Sequence, residues 1–188
     1  PAPPPRADER GGPPPPPKPD SPCRGSDARG AAGAPRAAPN PPSPAVEDPP
    51  AVVILPFTPD GDVVVIEEWR QAVGRVNRGL PAGTVDAADA DLDAVARREL
   101  AEETGYEPDS LSYLCAVEPA NGLLDSVHHY YLARGCDPTA ERDLDFNESI
   151  RVAVTDYDAL LADVLDGTVR DGRTVVGVTR YELAERWR

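Results

Sequence analysis

Three glutamates, Glu99, Glu102 and Glu103, fall within five positions of one another, directly after Arg98. If the segment is helical, Glu99 and Glu103 stand four residues apart on one face, with Glu102 close by. Arg98, four before Glu102, is able to pair with it. Leu92, Val95, Ala96 and Leu100 recur at spacings of three and four and form an apolar stripe. The row from Leu92 through Ala96 continues into Glu99 and Glu103, so both carboxylates border the buried face. Repulsion and desolvation disfavour like charges beside a core. A bound divalent cation reverses that cost, and an all-oxygen donor set selects Mg²⁺ or Mn²⁺ over zinc. The competing reading is a solvated acidic helix face, and periodicity alone leaves both open.

The helix needs positioning elements. Asp91 is a suitable N-cap and Gly105 a C′ stop for a helix from about Asp91 to Thr104. Ala51–Phe57 reads as a strand buried on both faces, followed by the turn Pro59–Asp62 and a second strand Val63–Trp69, which together predict a hairpin. Arg75–Gly83, with its Gly79-Leu-Pro-Ala-Gly83 punctuation, reads as irregular. Strands are expected near Ser112–Val117, Val127–Ala133 and Ile150–Val154. A helix capped by Thr155, with Asp158 three residues on, follows, and Thr174–Trp187 makes a final helix. Strands mixed with a few helices, without βαβ alternation, indicate an α+β fold.

Composition divides the chain. Of 188 residues, 24 are Pro, and 18 of these lie in Pro1–Pro50. Residues 1–48 therefore read as a Pro-rich, disordered or stiffly extended segment with too little apolar surface to offset ordering entropy. Residues 49–188 read as one domain with a real core. Ala51–Arg188 carries 27 acidic residues against 13 basic ones. That balance argues against general nucleic-acid binding, which needs a basic footprint. Lys18 is the only lysine and Asp outnumbers Glu in the folded part, a surface suited to high salt, where self-repulsion is screened. Cys23, Cys115 and Cys136 have neither disulfide nor zinc spacing. The absence of a membrane-length apolar run and of a signal-peptide core makes the cytoplasm the expected compartment and excludes a membrane partner.

Arg98-Glu99-Leu100-Ala101-Glu102-Glu103-Thr104-Gly105-Tyr106 resembles the diagnostic half of the Nudix box, Arg-Glu-aliphatic-x-Glu-Glu-x-Gly-aliphatic. Gly83 supplies the opening glycine, one residue further from the arginine than in the family, and the early glutamate of the box falls on Ala90 or, with a later gap, on Asp89. Glu68–Arg75 with Leu80–Gly83, Pro119-Ala-Asn-Gly122, Asn147–Val152 and Asp166–Asp171 are similar to segments of ADP-ribose pyrophosphatases, except that Ser126 follows Asp125 where a glutamate is common.

The resemblance implies a Nudix-like α/β/α sandwich with a mixed central sheet, and a metal-dependent hydrolase of a nucleoside diphosphate derivative. The metal ligands would be Glu99, Glu103 and the Ala82 carbonyl, with Glu102 in close support. Glu148, on the loop before Ile150–Val154, would help activate water, so that Glu148, Glu102 and Arg98 form the catalytic set. Arg70 and Arg75 would bind phosphate or ribose oxygens. Trp69 either stacks on adenine or packs at the end of its strand, and His128 and His129 read as ordinary strand residues. ADP-ribose would yield AMP and ribose 5-phosphate. A dinucleotide, nucleotide sugar or nucleoside triphosphate is the alternative substrate, and a non-catalytic nucleotide sensor the alternative class. The subgroup implies a homodimer, although the Pro-rich segment stands where its small N-terminal sheet would be.

Overall fold

The computed structural model describes residues 46–89, 91–144 and 149–186. The Pro-rich stretch up to residue 45, Ala90, Glu148 and Trp187 lie outside the described residues. In chain order the elements are β1 (Ala51–Pro56), β2 (Val63–Arg70), β3 (Arg75–Gly79), β4 (Ala82–Thr84), α1 (Leu92–Thr104), β5 (Glu107–Val117), β6 (His128–Asp137), β7 (Ile150–Thr155), α2 (Tyr157–Leu165) and α3 (Gly172–Arg186).

β1 is the centre of the molecule. It lies in a four-stranded sheet of order β4-β1-β6-β5, in which only β1 and β6 run parallel. Alternation along β1 sends Val52 and Ile54 toward one layer, with Val95, Ala96 and Leu100 of α1. Val53 and Leu55 face the other, with Leu160 of α2 and Val178 of α3. The expected double burial of this strand and the α/β/α layering are therefore present, with the mixed sheet at the centre. A second, antiparallel sheet of order β3-β2-β7 adds Val63 and Val65 to the α3-side core.

The expected β1–β2 hairpin is corrected. Beyond the turn, where the amide of Gly61 donates to the Thr58 carbonyl at 3.0 Å, the two strands share only the Phe57–Val63 bridge and diverge into different sheets. A strand has two hydrogen-bonding edges, and those of β1 are taken by β4 and β6. The irregular reading of Arg75–Gly83 is corrected too: β3 pairs with β2 and β4 with β1, while Leu80 and Pro81 cross between the sheets. Strands β5 and β6 extend to Glu107 and Asp137, beyond their expected ends. Asp156, rather than Thr155, caps α2, its carboxylate accepting the Ala159 amide at 2.9 Å. Thr155 instead closes β7 against Val63.

Cys115 and Cys136 are free and buried, and Cys23 lies outside the described residues. Among the described residues, no helix is long and apolar enough to cross a membrane.

Candidate active site

Helix α1 forms where its caps predict. Asp91 accepts the Asp93 amide at 3.0 Å, and Gly105, at φ 80°, closes the last turn with its amide on the Ala101 carbonyl. Burial of Val95, Ala96 and Leu100 against β1 fixes the rotation of the helix. That rotation sends Glu99 and Glu103 toward β4.

Glu103 is 4% exposed, and its Oε2 accepts the Ala82 amide at 3.0 Å. Glu99 lies over the next residue, Gly83: a Cβ on Gly83 would sit 1.9 Å from the Glu99 Oε2. Glycine is required here for space, since its backbone conformation is ordinary. Two carboxylates from consecutive turns of α1 thus meet two consecutive residues of a short strand. Both are turned away from bulk solvent.

Arg98 adds a second layer. Its guanidinium contacts Glu99 at 3.0 Å, Glu102 at 3.3 Å and Asp89 at 3.5 Å. One cation is shared by three carboxylates, which lowers the repulsion that the sequence pattern implies. The expected Arg98–Glu102 pair is present, and Asp89 is one of the two positions onto which the early box glutamate falls.

The donor set fits a hard divalent cation: a buried carboxylate, a second one in a glycine-shaped recess, and oxygen donors throughout. Among the described residues, no three His, Cys, Asp or Glu side chains make up a complete metal site by themselves. Glu99 and Glu103 could supply two ligands to such an ion, with any further donors coming from backbone or substrate oxygens.

Other expected residues lie apart from this pair. Trp69 and Arg70 end β2, and Arg75 begins β3, at the turn end of the β2–β3 hairpin, where Arg70 and Arg75 stand opposite each other. Arg70 is held by Glu68 at 2.6 Å and Arg75 by Asn77 at 2.8 Å. The Trp69 indole is half exposed and donates to Gln71 at 2.9 Å. Burial, and then the neighbouring Arg173, push the His128 imidazole below its ordinary pKa. His129 meets the Tyr113 hydroxyl at 3.3 Å. Asp125 and Ser126 staple the chain ahead of β1: Asp125 accepts the Asp48 amide at 3.1 Å, and buried Ser126 donates to the Pro49 carbonyl at 2.9 Å.

Arg142 was not foreseen. Its Nε donates to the Glu103 carbonyl at 2.9 Å and its Nη2 to the Ile150 carbonyl at 2.8 Å, tying the end of α1 to the start of β7. Nothing local in the sequence links a loop arginine to a helix end 39 residues earlier.

The NUDIX domain family matches residues 47–175, and the chain belongs to it. It is an enzyme of the Nudix pyrophosphohydrolase kind. Relatives include the methanol dehydrogenase activator of Bacillus methanolicus, 28% identical over 141 residues, and the ADP-ribose pyrophosphatase of Bacillus subtilis (strain 168), 29% identical over 141 residues. Each alignment covers 74% of this chain and 76% of the relative. The GDP-mannose pyrophosphatase of Yersinia enterocolitica is 29% identical over 67% of this chain and 69% of its own length. A solved structure described as an ADP compounds hydrolase superposes with a TM-score of 0.64 at 21% identity, covering 74% of this chain and 72% of that one, and shares the fold.

Proposed function

We propose that this protein hydrolyses the diphosphate bond of a nucleoside diphosphate derivative, with ADP-ribose as substrate and AMP and ribose 5-phosphate as products. The observation that carries the reading is the convergence of Glu99 and Glu103 on Gly83 and Ala82. A solvated acidic face has no reason to bury a carboxylate against a strand amide or to need a glycine beneath its neighbour.

In this reading Glu99 and Glu103 hold Mg²⁺ or Mn²⁺, with the Ala82 carbonyl as a further donor. In an extended strand the N–H and C=O of one residue point to the same side, so the Ala82 carbonyl shares the side on which its amide meets Glu103. A cation bound there would supply Lewis-acid neutralisation of the diphosphate and a lowered pKa for the attacking water. Arg98 orients Glu99 and Glu102, holding the acidic face open toward substrate. Glu148 is the general base, a role that typically contributes roughly 10²–10⁴-fold. Support for that assignment comes from Arg142, which fastens the strand following Glu148 to the carboxylate end of α1. Trp69 offers a half-exposed ring for a base to stack on, and Arg70 a guanidinium for phosphate or ribose oxygens. A homodimer belongs to the same proposal, supported by exposed Trp69, Val73 and Val76 at the hairpin end. The compartment proposed is the cytoplasm.

The second reading, a nucleotide sugar as substrate, is favoured by the likeness to GDP-mannose pyrophosphatases. One experiment decides between them: incubate the protein with Mg²⁺ or Mn²⁺ and ADP-ribose, GDP-mannose, dinucleotides or nucleoside triphosphates, and identify the products. Preferential conversion of ADP-ribose to AMP and ribose 5-phosphate is expected. Preference for GDP-mannose selects the second reading, and exclusive consumption of triphosphates overturns both.

A further inference from the structure

We propose that the fold carries a second anion site, a pocket for a phosphate group built from Arg75, Arg78 and Arg170. The pocket has a volume of about 370 Å³ and lies where the 167–170 loop passes β3. Three arginines line it and no carboxylate does. It shares no lining residue with the Glu99–Glu103 pair.

The setting makes this arrangement informative. Acids outnumber bases 27 to 13 over Ala51–Arg188, so arginines here are expected to be taken up by carboxylates. Seven of the twelve described arginines are: Arg70, Arg78, Arg98, Arg134, Arg151, Arg173 and Arg186 each face at least one carboxylate. Arg78 is fixed by Asp163 at 2.8 Å, which leaves it as a positioned wall of the pocket. Arg75 and Arg170 are among those that are not so taken up, and both line this one pocket. Among the described residues neither has an acidic partner; the Nε of Arg75 donates to Asn77 at 2.8 Å and the Nε of Arg170 to the Gly167 carbonyl at 3.4 Å. Those bonds orient both guanidiniums and leave their Nη groups with no partner among the described residues.

Two oriented forks of N–H donors match the tetrahedral oxygens of a phosphate. Two guanidiniums that line one pocket with no acid in its wall repel each other until an anion joins them. The chemistry identified is a phosphate dianion, which a phosphate monoester and free phosphate both supply. The site does not depend on the hydrolase reading, because it needs neither metal nor turnover.

The test is calorimetric titration of metal-free protein with inorganic phosphate at fixed ionic strength. Saturable binding is expected, unchanged in Glu103→Gln and weakened at least about tenfold in the Arg75→Ala/Arg170→Ala double variant, as loss of charge-assisted hydrogen bonds implies. In unmodified protein, phosphate should also shield Arg75 and Arg170 from phenylglyoxal, a readout independent of how the variant folds. Absence of saturable binding, binding that the double variant retains, or lack of shielding would overturn the site. Titrations with AMP and ribose 5-phosphate assign the source. Tighter binding than inorganic phosphate makes the ligand a phosphate ester, and weaker binding makes it free phosphate; both keep the site.

Discussion

Helices α1 and α3 pack on opposite faces of the same strand, β1, and both carry glutamates, yet they treat them differently. On α3, Glu182 accepts the Arg186 guanidinium at 2.8 Å and the Tyr157 hydroxyl at 3.0 Å, and Glu185 faces Arg134 at 3.6 Å. All these partners are side chains, and Arg186 and Arg134 are long and flexible. On α1, Glu103 meets a strand amide, and Glu99 fills the room left by a missing side chain. Backbone cannot move aside as a long arginine can, so the α1 carboxylates are held in place while the α3 carboxylates are merely neutralised. Acidity alone therefore says little about function in this chain. The material that receives the acid says more.

The comparison breaks most sharply at Glu103. Glu103→Gln keeps an acceptor for the Ala82 amide and so should keep the fold, while Mg²⁺-dependent turnover falls by about 100-fold or more, beyond the 10–100-fold that loss of an outer-shell group costs. Steady-state kinetics beside a thermal melt separates the two effects. Gly83→Ala comes next. The added methyl overlaps the Glu99 carboxylate, which swings aside at little cost to packing, so activity should drop about 10–100-fold with a small change in melting temperature.

A smaller effect concerns the surface as a whole. With 27 acids and 13 bases over the folded part, melting temperature should rise from low to molar KCl as self-repulsion is screened. A fall would remove the high-salt reading. The smallest effect is expected on α3. Hydrogen bonds from Arg186, then Tyr157, hold the Glu182 carboxyl below its ordinary pKa. Its contribution to stability is therefore present above the unfolded-state value and lost as pH falls through the lower folded one. Glu182→Gln should flatten the acid limb of a stability–pH curve and leave turnover untouched.

The site was more legible than the frame that holds it. Spacing along one helix is a local property, so Glu99, Glu103, Asp91 and Gly105 could be read directly from the chain. What receives the carboxylates is not local. β4 is three residues long, follows a Leu-Pro break, and exists as a strand because it pairs with β1, some 30 positions earlier. β3 has no apolar alternation and takes its register from β2. The parting of β1 from β2 is settled by β6, a strand more than 70 residues away in the chain. Gly83 was identified as the opening glycine of the box, but its steric role emerged only with the helix laid across it. The expected base, Glu148, falls outside the described residues, and the support for it rests on Arg142, whose two carbonyl partners come from distant elements.

The most direct test of the central claim is a Mn²⁺ titration followed by electron paramagnetic resonance, comparing the wild-type protein with the Glu99→Gln/Glu103→Gln double variant. The convergence of both carboxylates on β4 predicts saturable Mn²⁺ binding in the wild type, weakened about 100-fold or more in the variant. Equal affinity in the two proteins, with both folded, would contradict it.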